Sequence, residues 1–348
     1  MKQLLCDCGQ AVFFESERCV ACGRELAFDP ASLSMRTLTK TDQGYVDAGS
    51  HQHQYCKNHQ YPGVCNWLQA NTSASEFCLG CDFNRTIPNL AKAANLQRWA
   101  QLEAAKKRVL FTLLSLGLPI PNGHVQPGGL LFDFLEDRQS DGERYPDLEV
   151  TTGHLNGVIT LNLLEADNAA REAQREALNE QYRSLLGHMR HEFGHFFHDA
   201  VLRSVATQGS VALNELRQLF GDERADYAAA LTRYYREGPA PGTELNHITA
   251  YASSHPLEDW AETWGHYLHI VDVIETAEAH GVVSTANNFQ ARLNAFRKFS
   301  VILNELNRSM GLGDAYPFVL TPAVEAKLAF VDSTVSRLRE EYAVAVDY

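Results

Sequence analysis

Apolar and polar positions change rhythm along this chain. In the first 88 residues the apolar runs are short and broken by Cys, Gly and polar pairs, and "AVFFES" (11–16) alternates like a short strand. From Asn89 the rhythm lengthens. In "NLAKAANLQRWAQLEAAKKRVLFTLLSLG", Leu90, Leu96, Trp99, Leu102, Val109 and Leu113 fall near helical spacing until Gly117 and Pro119 end the run. "GLLFDFL" (129–135) reads as a strand, and "EVTTGHLNGVITLNL" (149–163) as a hairpin turning at Asn156-Gly157. Residues 165–202 read as helix, in one piece or two. From about Leu213 the pattern is mostly helical, with breaks at "EGPAPG" (237–242), "SSHP" (253–256) and "GLGDAYPFVLTP" (311–322). The pattern predicts an α+β fold: a small antiparallel sheet packed on a helical bundle, with no internal repeat.

Composition narrows the function classes. The net charge is −13, and it is uneven: residues 1–100 balance nine Lys/Arg against nine Asp/Glu, so the remainder carries the acidic excess. No basic stripe of the kind that nucleic-acid binding needs is present. No apolar run reaches the ~18 residues that span a bilayer, and "MKQLLCDCGQ" lacks the apolar core of a signal peptide. A cytoplasmic location is expected. There, eight cysteines point to metal ligands or free thiols rather than disulfides.

All eight cysteines precede residue 82. Cys6 and Cys8 in "CDCG" face Cys19 and Cys22 in "CVACG". Four thiolates in so short a stretch, each pair followed by Gly, read as a zinc ribbon with one structural zinc. Cys56, Cys65, Cys78 and Cys81 form a second set with a second structural zinc. Its "CLGC" half is regular and its "CKNHQYPGVC" half is not, so His59 competes with Cys56 or Cys65, with His51 and His53 nearby. Trp67 and Phe77 are the candidate core of that segment.

The catalytic candidate is "MRHEFGHFFHD" (189–199). On a helix, His191 and His195 lie four apart and about 40° around the axis, so both imidazoles reach one ion. Glu192 stands beside them as a base rather than a ligand. His198 could share the face, but one straight helix rarely wraps three ligands around one metal. A catalytic zinc takes three protein ligands and keeps a place for water. Acidic candidates for the third are Asp222, Glu223 and Asp226, or Glu258, Asp259 and Glu262. The second group is better placed: Pro256 opens a helix, and Glu258 and Glu262 share one face of it. One can ligate while the other receives the N–H of a ligand imidazole.

The "HEFGH" stretch with Glu258 and Glu262 downstream resembles the gluzincin peptidases, of which thermolysin is the best known. More closely, "CDCGQAVFFES", "CVACG", "CDFNRTIP", "GHLNGVITLNLLEAD", "LLGHMRHEFGH" and "YASSHPLEDWAETWGHYLHI" together resemble the bacterial zinc-binding metallopeptidases with an N-terminal zinc ribbon. The likeness spans most of the chain. It implies a zincin-like catalytic domain over 89–348, preceded by a ribbon at 1–30 and a second zinc-binding segment at 44–88. By position, His191, His195 and Glu258 match the zinc ligands, Glu192 the general base and Glu262 the acidic partner of a ligand imidazole. Tyr251 matches an active-site tyrosine of the anthrax lethal-factor type. Leu257 departs from the Asn that precedes the ligand Glu in thermolysin-like enzymes.

The expected reaction is peptide hydrolysis. Zinc acidifies its water, Glu192 takes the proton and passes it to the leaving amine, and the metal with Tyr251 or a nearby His stabilises the oxyanion. "GVITLNL" is either an edge strand that pairs with an extended substrate or an interior strand. The expected partners are a peptide or protein substrate, and a protein bound through the ribbons. Two other classes stand beside this reading: a zinc hydrolase of a non-peptide amide or conjugate, and a non-catalytic ribbon adaptor.

Overall fold

The computed structural model describes residues 2–42, 44–70, 75–177, 184–207, 210–286 and 288–346. The chain divides into two compact units, Lys2–Gln174 and Arg175–Tyr348. About half of it is helical, with small sheets, so the class is α+β.

The first unit opens with a two-stranded antiparallel ribbon, β1 (Leu4–Leu5) and β2 (Ala11–Val12). The alternation of "AVFFES" yields a strand only two residues long; its payoff is Phe14, which turns inward and is buried. A four-stranded antiparallel sheet follows in the order β3 (Glu25–Asp29), β4 (Ser34–Thr41), β5 (Gly44–Val46), β6 (Gln52–His53). The eight-residue β4, "SMRTLTKT", carries no strong apolar alternation and is absent from the sequence reading. Phe14 and Phe28 meet Trp67 and Phe111 at ring separations of 4.8–6.0 Å, mostly edge to face. Trp67 therefore serves a larger core than its own cysteine segment, and Phe77 is only half-buried.

After the short helix α1 (Leu79–Asp82) come β7 (Asn84–Thr86), the long helix α2 (Ala93–Ser115) and β8 (Leu131–Leu135). α2 begins four residues later than the expected Asn89. It buries Trp99, Leu102, Val109 and Leu113 as the spacing predicts, and also Glu103, Lys106 and Lys107. The helix α3 (Arg138–Asp141) leads to the hairpin β9 (Gly153–Leu155) and β10 (Val158–Asn162). Asn156 and Gly157 turn it with φ of 50° and 87°, the left-handed values the pair was expected to supply.

This sheet, ordered β7-β8-β10-β9, is not antiparallel as expected. β7, β8 and β10 run parallel, and only β9 is antiparallel. The reason lies in the connections. β7 reaches β8 through α2, and β8 reaches β10 through α3 and β9; crossovers of that length return a strand in the same direction, which a tight turn cannot do. Of the two readings of "GVITLNL", the interior one holds: β10 is paired on both sides and offers no free edge. The helix α4 (Asn168–Ala177) closes the unit and runs across the division.

The second unit is helical: α5 (Leu185–Thr207), α6 (Ser210–Phe220), α7 (Tyr227–Glu237), α8 (Pro256–Ala279), α9 (Phe289–Ser309) and α10 (Pro322–Val346). Whether α4 and α5 join as one helix depends on 178–183, which lie outside the described residues. The predicted breaks at 237–242, 253–256 and 311–322 all separate helices. α8 starts with Pro256 at its first position, while the His255 ring accepts from Leu257 N at 3.1 Å. Among the described residues, no helix is long and apolar enough to cross a membrane.

α5 and α8 pack closely because Gly194 puts no side chain into their interface. A Cβ on Gly194 would lie 2.8 Å from Ala261 Cα and 3.1 Å from Ala261 O. The Trp260 indole uses the space, donating to Gly194 O at 2.9 Å. Phe197 stacks on Trp264 at 4.8 Å, and a buried Arg190–Asp272 ion pair ties the helices together beside His191.

Candidate metal centres

The helix α5 presents His191 and His195 on one face, and the first turns of α8 present Glu258 and Glu262 to it. His191 Nε2 and His195 Nε2 are 3.1 Å apart. Glu258 Oε2 lies 3.1 Å from the first and 3.4 Å from the second. Bonds of about 2.0–2.1 Å to a tetrahedral zinc would space its ligand atoms by about 3.3–3.4 Å, so the donor set fits that ion. Glu258 Oε2 is buried without a well-directed hydrogen bond. Such an orphaned charge is costly unless a cation meets it.

The electrostatics agree. Burial alone would lower the pKa of His191, but Glu258 and Glu262 outweigh it and hold it well above the ordinary histidine value. Burial would raise Glu258, yet the two imidazoles hold it well below the carboxylate range. The pocket thus draws positive charge, and one proton cannot serve three converging atoms. On the far side of the ring, His191 Nδ1 meets Glu262 Oε1 at 2.6 Å. When Nδ1 donates that proton, Nε2 is left with its lone pair facing the other donors.

Glu192 is buried. Its Oε1 faces His188 Nε2 at 3.3 Å, while Oε2 has no hydrogen-bond partner. Burial would raise its pKa, but His188, His191 and His195 bring it below the usual value, so the carboxylate is ionised and ready to accept a proton. His188 lies just before the stretch 189–199, and the same four-residue spacing that pairs His191 with His195 aims it at Glu192.

Tyr251 stands on the turn Tyr251–Ser254 that leads into α8, its ring 6.1 Å from that of His191. Burial raises its pKa, so the hydroxyl stays a donor. A second tyrosine escaped the sequence reading: Tyr227 donates to Glu258 Oε1 at 2.7 Å.

The rival residues are engaged elsewhere. His198 packs edge-on against Trp260 at 5.9 Å. Glu223 pairs with Arg217 at 2.5 Å, Asp222 pairs with Arg224 at 2.6 Å, and Asp226 caps α7 by accepting from Ala229 N at 3.0 Å. Asp259 is buried against Lys327 at 2.6 Å.

The two cysteine sets also assemble. In each, the four sulfurs lie within 4.8 Å of one another. Cys6–Cys22, Cys8–Cys19 and Cys65–Cys78 are separated by 3.6, 3.7 and 3.6 Å. That is far beyond a disulfide bond and close to the about 3.8 Å edge of a tetrahedron with Zn–S bonds of about 2.3 Å. The Arg24 backbone N–H, followed by its guanidinium, brings Cys22 down to about 6, which favours the thiolate. His59 is not in the second set: it stacks on Tyr55 at 3.9 Å, with Nδ1 2.8 Å from Cys65 O. His51 and His53 instead flank Asp47 at 3.2 and 3.0 Å. Beside the second set, Glu103 accepts from Lys106 and Lys107, each at 2.7 Å and all buried.

A helix pair presenting two histidines and a glutamate, preceded in the sequence by two four-cysteine clusters, defines the class of a zinc-site protein with an N-terminal zinc-ribbon region. The chain belongs to the family described as "putative zinc-binding metallo-peptidase", whose model matches residues 95–334. A zinc-ribbon domain model matches residues 3–92. Similar full-length relatives are uncharacterized proteins of Mycobacterium bovis and Mycobacterium tuberculosis, each 36% identical over 347 residues, covering 97% of this chain and 95% of the relative. No solved structure matches.

Proposed function

We propose that this protein is a zinc-dependent peptidase of the gluzincin type, with His191, His195 and Glu258 as metal ligands and Glu192 as general base. The observation that carries the reading is the convergence of three donor atoms at 3.1–3.4 Å beside an ionised carboxylate with a free oxygen. A structural zinc site has no use for that carboxylate. When bound, the metal would polarise the scissile carbonyl and acidify a water.

The rest falls to the chain's own residues. Glu192 Oε2 takes the proton from the attacking water and delivers it to the leaving amine. His188 holds Oε1, so Oε2 is the oxygen left for this shuttle. Glu262 fixes the orientation and tautomer of His191. Tyr251 donates its hydroxyl to the developing oxyanion. On the same reading, each four-cysteine set holds one structural zinc, the ribbon region recruits a protein, and the chain works in the cytoplasm, where its thiols stay reduced.

Glu192→Gln tests the mechanism. The amide keeps size and hydrogen bonding but takes no proton at neutral pH. Zinc content by elemental analysis should match wild type, while cleavage of an unfolded protein library falls by orders of magnitude. His191→Ala should lose metal and cleavage together. Undiminished cleavage by zinc-loaded Glu192→Gln would sink the proposal.

A further inference from the structure

Glu258 has two oxygens with different neighbours. Oε2 faces both imidazoles, at 3.1 and 3.4 Å, and Oε1 accepts from Tyr227 at 2.7 Å. We propose that Tyr227 is a positioning residue that holds Oε1 away from the metal, so that Glu258 ligates through Oε2 alone and one coordination position stays open. The inference rests on the reading of His191, His195 and Glu258 as a metal site.

The need for such a device follows from counting. A carboxylate can ligate through one oxygen or two. With two histidines and a water, a two-oxygen Glu258 would already make the ion five-coordinate, and the fifth place, which a substrate carbonyl needs, would be taken. An O–H donor on Oε1 breaks that symmetry. Hydrogen bonds to a charged oxygen are among the stronger ones, so the preference is firmly set.

The fold braces both ends of this hydrogen bond. Tyr227 is the first residue of α7, whose start is fixed by the Asp226 cap. Glu258 is in the first turn of α8, whose start is capped by His255. The His255 ring joins the two. Its Nε2 donates to Ala225 O at 3.1 Å, its Nδ1 accepts from Leu257 N at 3.1 Å, and the Tyr227 ring rests edge-on against it at 5.1 Å. One imidazole therefore registers the start of α7 against the start of α8, and the tyrosine hydroxyl follows. Tyr227 is 41% exposed as a residue, yet its hydroxyl is turned onto the buried Glu258 rather than left to water.

Tyr227→Phe removes the oxygen and keeps the ring. Mild chelation should empty the histidine site, and cobalt(II) is then added back. The spectrum of that site is the difference from His191→Ala treated the same way, which cancels cobalt bound by cysteine. In wild type the difference should show the intense visible band of four-coordinate cobalt(II). In Tyr227→Phe the band should weaken as the second carboxylate oxygen joins. Zinc affinity in chelator competition should fall about 10–100-fold, the usual cost of losing a group that holds a ligand. Circular dichroism and melting should stay near wild type. A Tyr227→Phe protein with the wild-type band and wild-type affinity overturns the role given to Tyr227. If wild type takes up no more cobalt than His191→Ala, the metal site itself is wrong and both readings fall.

Discussion

His198 lies three residues beyond His195, yet it does different work. Against Trp260, burial brings it from 6.5 down to about 4. Between those values the unfolded chain takes up a proton that the folded chain refuses. The neutral ring therefore contributes stability above pH 6.5, and that contribution is lost as the pH falls towards 4. His198→Asn should lose less stability than wild type between pH 7 and 4.5, read from denaturant midpoints. Acid release of metal affects both proteins and cancels in the comparison. Equal losses would show that the fold does not hold His198 neutral. At this scale the sequence was most legible where spacing alone aims two side chains at one point. His191 with His195, and Glu258 with Glu262, are such pairs. Tyr227 is not: it reaches Glu258 from another helix, 31 residues earlier, and nothing local marks it off from Tyr234 and Tyr235. Asp222, Glu223 and Asp226 looked like rivals because a sequence does not say which acids already have Arg217, Arg224 or a helix N-terminus as partners.

The helix pair α5–α8 is the element on which the site depends, and its separation is set by Gly194. Gly194→Ala would drive a Cβ into the Ala261 backbone at 2.8 Å, which no rotamer change relieves. We expect a loss of about 1–3 kcal/mol in stability, in the range of overpacked cores, with weakened metal binding. Gly265 provides the contrast. Its nearest atom would be His191 N at 3.5 Å, ordinary contact, so Gly265→Ala should be neutral or gain from better helix propensity. Melting curves of the two variants check this; equal destabilisation would mean that spacing at Gly194 is not what matters. Elements with strong periodicity were legible: α2, α5, α8 and the Asn156-Gly157 hairpin. Strand direction was not, because it depends on which strands become neighbours. β4 was missed because its exposed end, "TKT", has the polarity of a loop.

At the scale of the molecule, the described residues of the two units include three candidate metal centres. Protein purified without added metal should hold close to three zinc ions per chain by elemental analysis. A ratio near one would remove the cysteine sites. Cys19→Ser should lower the zinc count by one and destabilise the N-terminal unit, since metal binding supplies folding energy there.

The buried Glu103–Lys106–Lys107 group sets what happens when a metal leaves the second cysteine set, Cys56, Cys65, Cys78 and Cys81. Burial would lower Lys107, but the charges of Cys65, Cys81 and Glu103 outweigh it and hold the ammonium firmly protonated. A zinc ion with four thiolates carries two net negative charges, and the two lysines with one glutamate carry one positive charge. The interior is then near electroneutral. Emptied and reprotonated, the four thiols are neutral, and an ammonium is stranded inside α2 with no counter-ion. Depletion of zinc should therefore not loosen a peripheral flap; it should melt α2, whose Lys106 lies over the Phe132 and Phe134 rings of β8.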